Sequence, residues 1–107
     1  MAKITWHYKA KQLFSEYADN AIIEFGKSTG RRWLKERKDI VWRLERYPTS
    51  YPPERLLCDM ETLYRSCHLM NRRFKIIYFY DEDKDTVHIM DIWDTKMNPK
   101  ALVRRIK

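Results

Sequence analysis

Two β-favouring runs near the C-terminus, Arg72 to Tyr80 (RRFKIIYFY) and Thr86 to Asp94 (TVHIMDIWD), are separated only by the acidic stretch Asp81 to Asp85. β-Branched and aromatic side chains suit a pleated, half-buried surface, so two such runs with a short polar link predict an antiparallel hairpin. The rest of the chain must then build its core against a sheet. Arg72, Arg73 and Lys75 lead into the hairpin, and Lys96, Lys100, Arg104, Arg105 and Lys107 follow it. A hydrophobic sheet framed by positive charge suits a polyanionic partner.

Upstream, Ile4 to Trp6 is a short β-favouring start. From about His7 the apolar positions Ala10, Leu13, Phe14, Tyr17, Ala18, Ala21, Ile22 and Phe25 keep a helical period, which predicts an amphipathic helix. Gly26 can take the left-handed conformation that closes it. Ser28 or Thr29 is placed to cap a second helix with the inward stripe Trp33, Leu34, Ile40, Val41, Leu44 and Tyr47, joined by the stem of Arg37 and stopped by Pro48. The short link predicts an antiparallel helix hairpin. Thr49 to Glu54 (TSYPPE) reads as a loop. Over residues 62–70, Leu63, Arg65, Cys67 and Leu69 alternate with Tyr64, Ser66, His68 and Met70, and the alternation leaves open which set is buried.

The expected fold class is α+β: a small single domain spanning residues 1–107, in the order strand-helix-helix-strand-strand-strand, with an antiparallel sheet packed on a helix hairpin. Antiparallel sheets tolerate one wet side, so the expectation is a sheet face left partly open, and function there.

Composition supports a folded domain with charged partners. Hydrophobic residues make up 44% of the 107 residues and aromatics 14%, too apolar for disorder despite 35% charge. The net charge of +7 is concentrated. Lys27 to Arg46 holds eight cations against Glu36, Asp39 and Glu45. Nucleic acid or an acidic protein segment fits that balance, and a solvated helix face is the plainer reading. Cys58 and Cys67 are too few for a disulfide scaffold, no apolar signal core opens the chain, and Ile76 to Tyr80 is too short to span a bilayer. The expectation is a cytoplasmic protein with no membrane partner.

No metal or cofactor is expected. Two cysteines and a histidine lack the paired four-ligand spacing of structural zinc, and the run Asp81, Asp83, Asp85 has Thr86 and Ile92 where a calcium loop needs glycine and glutamate. Trp33, Trp42, Tyr78 and Tyr80 are assigned to the core rather than to base stacking.

The order of elements, the segment Tyr64-Arg65-Ser66 before a turn, the strand Arg73 to Tyr78, and the ending Val87 to Asp94 with Asn98-Pro99 resemble the RelE/ParE superfamily of toxins. The resemblance covers nearly the whole chain. It implies a toxin neutralised by a cognate antitoxin, in a two-gene bacterial module. RelE-like members cut messenger RNA in the ribosome without a metal, whereas ParE-like members share the fold and poison DNA gyrase, so fold alone does not choose the target. Position by position, Arg65, Lys75 and Lys96 match basic positions of RelE-like toxins. Cys67 stands where a second basic group belongs, and Leu102 falls near the place of a tyrosine. The ending Trp93 to Pro99 looks more like the ParE-like pattern.

Attack by a 2'-hydroxyl needs a proton acceptor, a donor, and cations for the charge that develops on phosphate. The candidate catalytic set is Arg65, Lys75, Lys96 and His68, with His88 and Asp94 as further acid–base groups. Arg65, Arg73 and Lys96 crowded around Lys75 would favour its neutral, proton-accepting form. The candidate partner or nucleic-acid contacts are Arg65, Arg72, Arg73, Lys75, Lys96, Asn98, Lys100, Arg104 and Arg105. An antitoxin is expected to lay an acidic segment over sheet and hairpin, covering Arg65, Lys75 and Lys96.

Overall fold

The computed structural model describes residues 1–106, in the order β1 (Lys3–Trp6), α1 (Tyr8–Phe25), α2 (Lys27–Arg46), a 3-10 turn (Arg55–Leu57), β2 (Arg65–Leu69), β3 (Phe74–Asp81), β4 (Thr86–Asp94) and α3 (Pro99–Ile106). The α+β layout, the helix hairpin and the β3–β4 hairpin follow the sequence reading. The sheet is mixed rather than antiparallel, with order β1-β4-β3-β2 and β1 lying parallel to β4. β3 fills one edge of β4, so β1 joins the other, where Lys3 N–H donates to Asp85 O at 2.9 Å and His7 N–H to Ile89 O at 3.0 Å. Side-chain alternation identifies faces and says nothing of strand direction.

Gly26 closes α1 at φ 98°, its N–H donating to Ile22 O at 2.8 Å. It is also the N-cap of α2, which therefore starts at Lys27 rather than after a Ser28 or Thr29 cap. A link of one residue folds the helices tightly together, and Gly30 sits where a Cβ would come within 2.5 Å of the Ile22 side chain.

The main core lies between this hairpin and the sheet. Phe14, Trp33, Ile40 and Leu44 meet Cys67, Leu69, Ile76, Tyr78, Val87, Ile89 and Ile92. Cys67 and Leu69 therefore face inward, which settles the orientation of β2. Trp33 is its aromatic hub, with Phe14 edge-on at 5.3 Å and Phe74 at 5.0 Å between ring centroids. Such pairs contribute about 0.5–1.5 kcal/mol each beyond area burial.

The opposite face is covered as well, contrary to the expected open side. Leu57, Ile77, Trp93 and Leu102 form a second, smaller core beneath α3 and the 3-10 turn. α3 begins where Asn98 Oδ1 accepts the Lys100 N–H at 3.0 Å and Pro99 takes the first helical position. The helix is short, and three of its eight residues are basic, so its apolar side chains Ala101, Leu102, Val103 and Ile106 are interrupted by charge. No helix among the described residues is long and apolar enough to cross a membrane.

Candidate functional site

On the face under α3, strand pairing sets His68 beside Lys75 and Lys75 beside Trp93. The register shifts at Ile77/Tyr78, so Met90 has no partner on β3. That bulge lets His88 and Asp91, an odd number of residues apart, face the same side.

Lys75 is not a free cation. Its Nζ lies 2.6 Å from Glu54 Oε1, which also accepts from Ser66 Oγ at 3.0 Å, while Glu54 Oε2 accepts the Leu56 N–H at 3.1 Å. Burial works to raise the Glu54 pKa, but the bonds from Lys75 and the Leu56 N–H overcome it and hold the carboxyl below its ordinary range. This ion pair, with its carboxylate buried and bonded at both oxygens, orders the loop before β2. Sequence reasoning missed Glu54, because an acid in a Pro-rich loop carries no pattern until the loop folds over the sheet.

Arg65 lies on the opposite face of β2, with Cys67 and Leu69, and its guanidinium donates to Tyr51 O at 2.7 Å. Arg65 therefore does not crowd Lys75 as expected. Arg73 is likewise engaged, donating to both Asp94 oxygens at 3.0 and 3.2 Å, which holds Asp94 below the ordinary carboxylate range. Arg105, on α3, turns toward the sheet and donates to buried Asp91 at 2.6 Å. Burial raises the Asp91 pKa despite that bond, and Asp91 Oδ2 and Arg105 Nε have no partner. Cys67, in the place of an expected basic group, is buried, and its thiol is pushed up to about 12. Leu102, near the expected tyrosine, is fully buried.

Arg72, Lys96, Lys100 and Arg104 stay exposed. Arg72 and Lys96 are drawn to one end of the sheet because Thr95 Oγ1 donates to the carbonyls of Arg72 and Arg73, at 3.2 and 2.8 Å. There Met70, Asn71 and Arg72 all take left-handed φ angles of 53°, 56° and 67°. Each such residue costs about 1–3 kcal/mol and persists only where its surroundings fix it. α2 supplies the restraint, Glu36 accepting the Met70 N–H at 2.7 Å and Arg32 donating to Asn71 at 2.6 Å. His68, exposed on β2, has its pKa lowered by burial first and then by Arg72 and Lys75, so it is mostly neutral near pH 7.

A second surface lies between α1 and α2. One groove of about 480 Å³ has Trp6, Phe14, Leu34 and Val41 along its floor and Lys11, Arg37 and Lys38 at its rim. A continuation of about 370 Å³ runs past Ala18 and Ile22 between Lys27 and Arg31. Leu34 is 52% exposed there. Trp42, assigned to the core from sequence, is exposed on α2 with the Arg46 guanidinium 4.2 Å from its ring centroid.

A mixed four-stranded sheet with a helix hairpin on one face and a short C-terminal helix on the other is an α+β fold of the RelE/ParE type. The chain belongs to the ParE toxin family of type II toxin–antitoxin systems, whose profile matches residues 4–99. Among solved structures it is similar to a chain of the chromosomal ParDE toxin–antitoxin system from P. aeruginosa, with a TM-score of 0.67 and 14% identity over 88% of this chain and 96% of that one. It is also similar to the isolated RelE toxin of E. coli, with a TM-score of 0.59 and 14% identity over the whole of both chains. No curated protein sequence matches it.

Proposed function

We propose that this protein is a growth-inhibiting toxin that acts in the ParE manner, on DNA gyrase, and is kept silent by a cognate antitoxin. One observation carries the choice of mechanism: the cations that RNA cleavage would need in one place are spent elsewhere. Arg65 is bonded to backbone on the hairpin face, Lys75 is paired with buried Glu54, and Arg73 is paired with Asp94. What remains exposed, Arg72, Lys96, Lys100 and Arg104, suits contact with a partner better than proton transfer. The antitoxin would place an acidic amphipathic segment along the α1–α2 groove, its apolar side on Leu34 and Val41 and its carboxylates on Lys11, Arg31 and Arg37. A single patch covering Arg65, Lys75 and Lys96 is set aside, because Arg65 and Lys75 face opposite sides of the sheet.

Expression alone, and then together with the adjacent small gene, tests the toxin reading, since growth arrest should appear in the first case and be relieved in the second. Gyrase poisoning predicts DNA breaks and an SOS response with intact transcripts. Transcript cleavage at ribosomes, mapped from RNA ends, would overturn it in favour of a RelE-like endonuclease. One arrangement favours that second reading, namely His68 kept neutral beside Lys75 on one sheet face. In that case Lys75→Ala should lose cleavage in a reconstituted ribosome assay, and cleavage at full rate would remove Lys75 from the mechanism.

A further inference from the structure

A cleft of about 580 Å³ opens where the closed end of the α1–α2 hairpin overhangs the turn between β2 and β3. It shares no lining residue with the groove between the two helices. Its walls are aromatic. Tyr17 and Phe74, both half-buried, lie 4.7 Å apart between centroids, and Phe25 stands among the lining residues 67% exposed. A ring left in water beside two packed ones is a stacking platform for a flat ligand. The polar groups are few and only partly spent. Arg73 uses Nε and Nη2 on Asp94, which leaves Nη1 to donate elsewhere. Glu24 also lines the cleft, where its charge reaches Arg73 through space, yet among the described residues it makes no hydrogen bond or ion pair.

A flat ligand between these two side chains needs an acceptor for Arg73 and donors for Glu24. Guanine presents both on one edge, O6 beside N1–H and N2–H, and two adjacent N–H donors match a carboxylate. Adenine and cytosine offer a carboxylate a single amino group, and thymine or uracil a single ring N–H. Glu24 and Asp94 disfavour a phosphate inside the cleft. At its rim the charge reverses, because Arg72 follows Asn71 of the lining and Lys96 donates its N–H to Asp94 at 2.9 Å, both cationic side chains being exposed. We infer that this cleft binds one unstacked guanine nucleotide, its base on Phe25 and Tyr17, its Watson–Crick edge between Arg73 and Glu24, and its phosphate on Arg72 and Lys96. The same chemistry is offered by a free nucleotide and by an unpaired guanine in a single strand. The site is independent of whether gyrase is the toxin's target.

Fluorescence anisotropy of the full-length protein tests this, with short labelled strands of thymine alone or thymine around a central guanine, their ribose counterparts with uracil, and unlabelled GMP as competitor. The guanine strand should bind at least about fivefold tighter than the thymine strand. Displacement by GMP assigns the site to the free nucleotide. Displacement by guanine-bearing strands only assigns it to single-stranded nucleic acid, and the deoxy and ribo forms then say which. Glu24→Gln should abolish the guanine preference while thymine strands bind equally or tighter, since a negative charge is removed. Phe25→Ala, at an exposed position, should weaken the guanine strand at least about fivefold, whereas Trp42→Ala, an exposed ring on α2 outside the cleft, should change nothing. Lys96→Ala should weaken every strand alike and reduce the salt slope by about 0.7. Each variant is to be checked for native circular dichroism. Absence of saturable binding, equal affinity for the two strands, or a guanine preference that survives Glu24→Gln overturns the assignment.

Discussion

The two faces of the sheet are built by different physics. Toward α1 and α2 the contacts are apolar and aromatic, Phe14, Trp33 and Leu44 on Ile76, Val87, Ile89 and Ile92. Toward α3 a few apolar side chains share the space with two ion pairs, Lys75–Glu54 and Arg105–Asp91, whose carboxylates are almost wholly buried. Apolar burial is non-directional and tolerant of detail, whereas a buried charge is stable only while each partner is present. The first face supplies most of the stability, and the second sets which side chains are available for function.

The sharpest way to break that contrast is at the aromatic hub. Trp33→Ala should cost about 3–5 kcal/mol, enough to unfold much of a small domain whose total stability is about 5–15 kcal/mol, as urea denaturation would show. Comparable loss from an α3-side truncation such as Leu102→Ala, rather than a smaller one, would erase the distinction between the faces.

The ion pair comes next. Lys75→Ala strands Glu54 in the interior, and breaking a buried pair in this way costs about 3–5 kcal/mol, much of which the double change Glu54→Gln/Lys75→Met should restore. A double-mutant cycle in denaturant measures it. The pH sign follows from the Glu54 pKa, which folding lowers. Its contribution is therefore fully present above the ordinary glutamate range and is lost as pH falls through the lower folded value. Asp91 has the opposite sign, because folding raises its pKa. Its ionisation opposes folding at neutral pH, and that penalty fades in acid. Asp91→Asn should accordingly be better tolerated at pH 7 than Glu54→Gln, and the gap should narrow as the solution is acidified. An identical pH response from the two variants would mean that the two carboxylates are not in different environments.

The smallest effects belong to the helix link. At φ 98° and ψ 176°, a conformation essentially confined to glycine, Gly26 has open space around it, so Gly26→Ala pays only backbone strain, about 1–3 kcal/mol. Gly30→Ala meets Ile22 and should cost about 1–3 kcal/mol, unless the flexible end of Ile22 gives way. Thermal unfolding of the pair separates strain from crowding, because the additional change Ile22→Ala should rescue Gly30→Ala and not Gly26→Ala.

Much of the fold was legible because its signals are periodic. The stripe from Ala10 to Ala21, the stop at Gly26, the positions Trp33, Ile40 and Leu44 and the β3–β4 hairpin each follow from local spacing, whereas Ile22, Phe25, Leu34 and Tyr47, expected inward, are exposed because the helices outreach the sheet or turn those positions to solvent. α3 was hidden because it is only eight residues long and its apolar positions are interrupted by Lys100, Arg104 and Arg105. Trp42 was misplaced because hydrophobicity alone does not fix which side of a helix faces the core. The candidate site was less legible still. Lys75, His68, Arg72 and Lys96 carry the right chemistry, but their partners Glu54, Thr95 and Asp94 come from loops or strand ends whose approach no local pattern encodes.

By itself the sequence determined a charged α+β domain and its helix and strand segments, since propensity, period and turn chemistry act over a few neighbouring residues. Only tertiary structure decided that β1 runs parallel to β4, that Arg65 and Lys75 face apart, and that α3 closes the second face. Each depends on groups distant in the chain coming within a few ångströms, and the energies that select such contacts, desolvation and ion pairing, act only once the chain has packed.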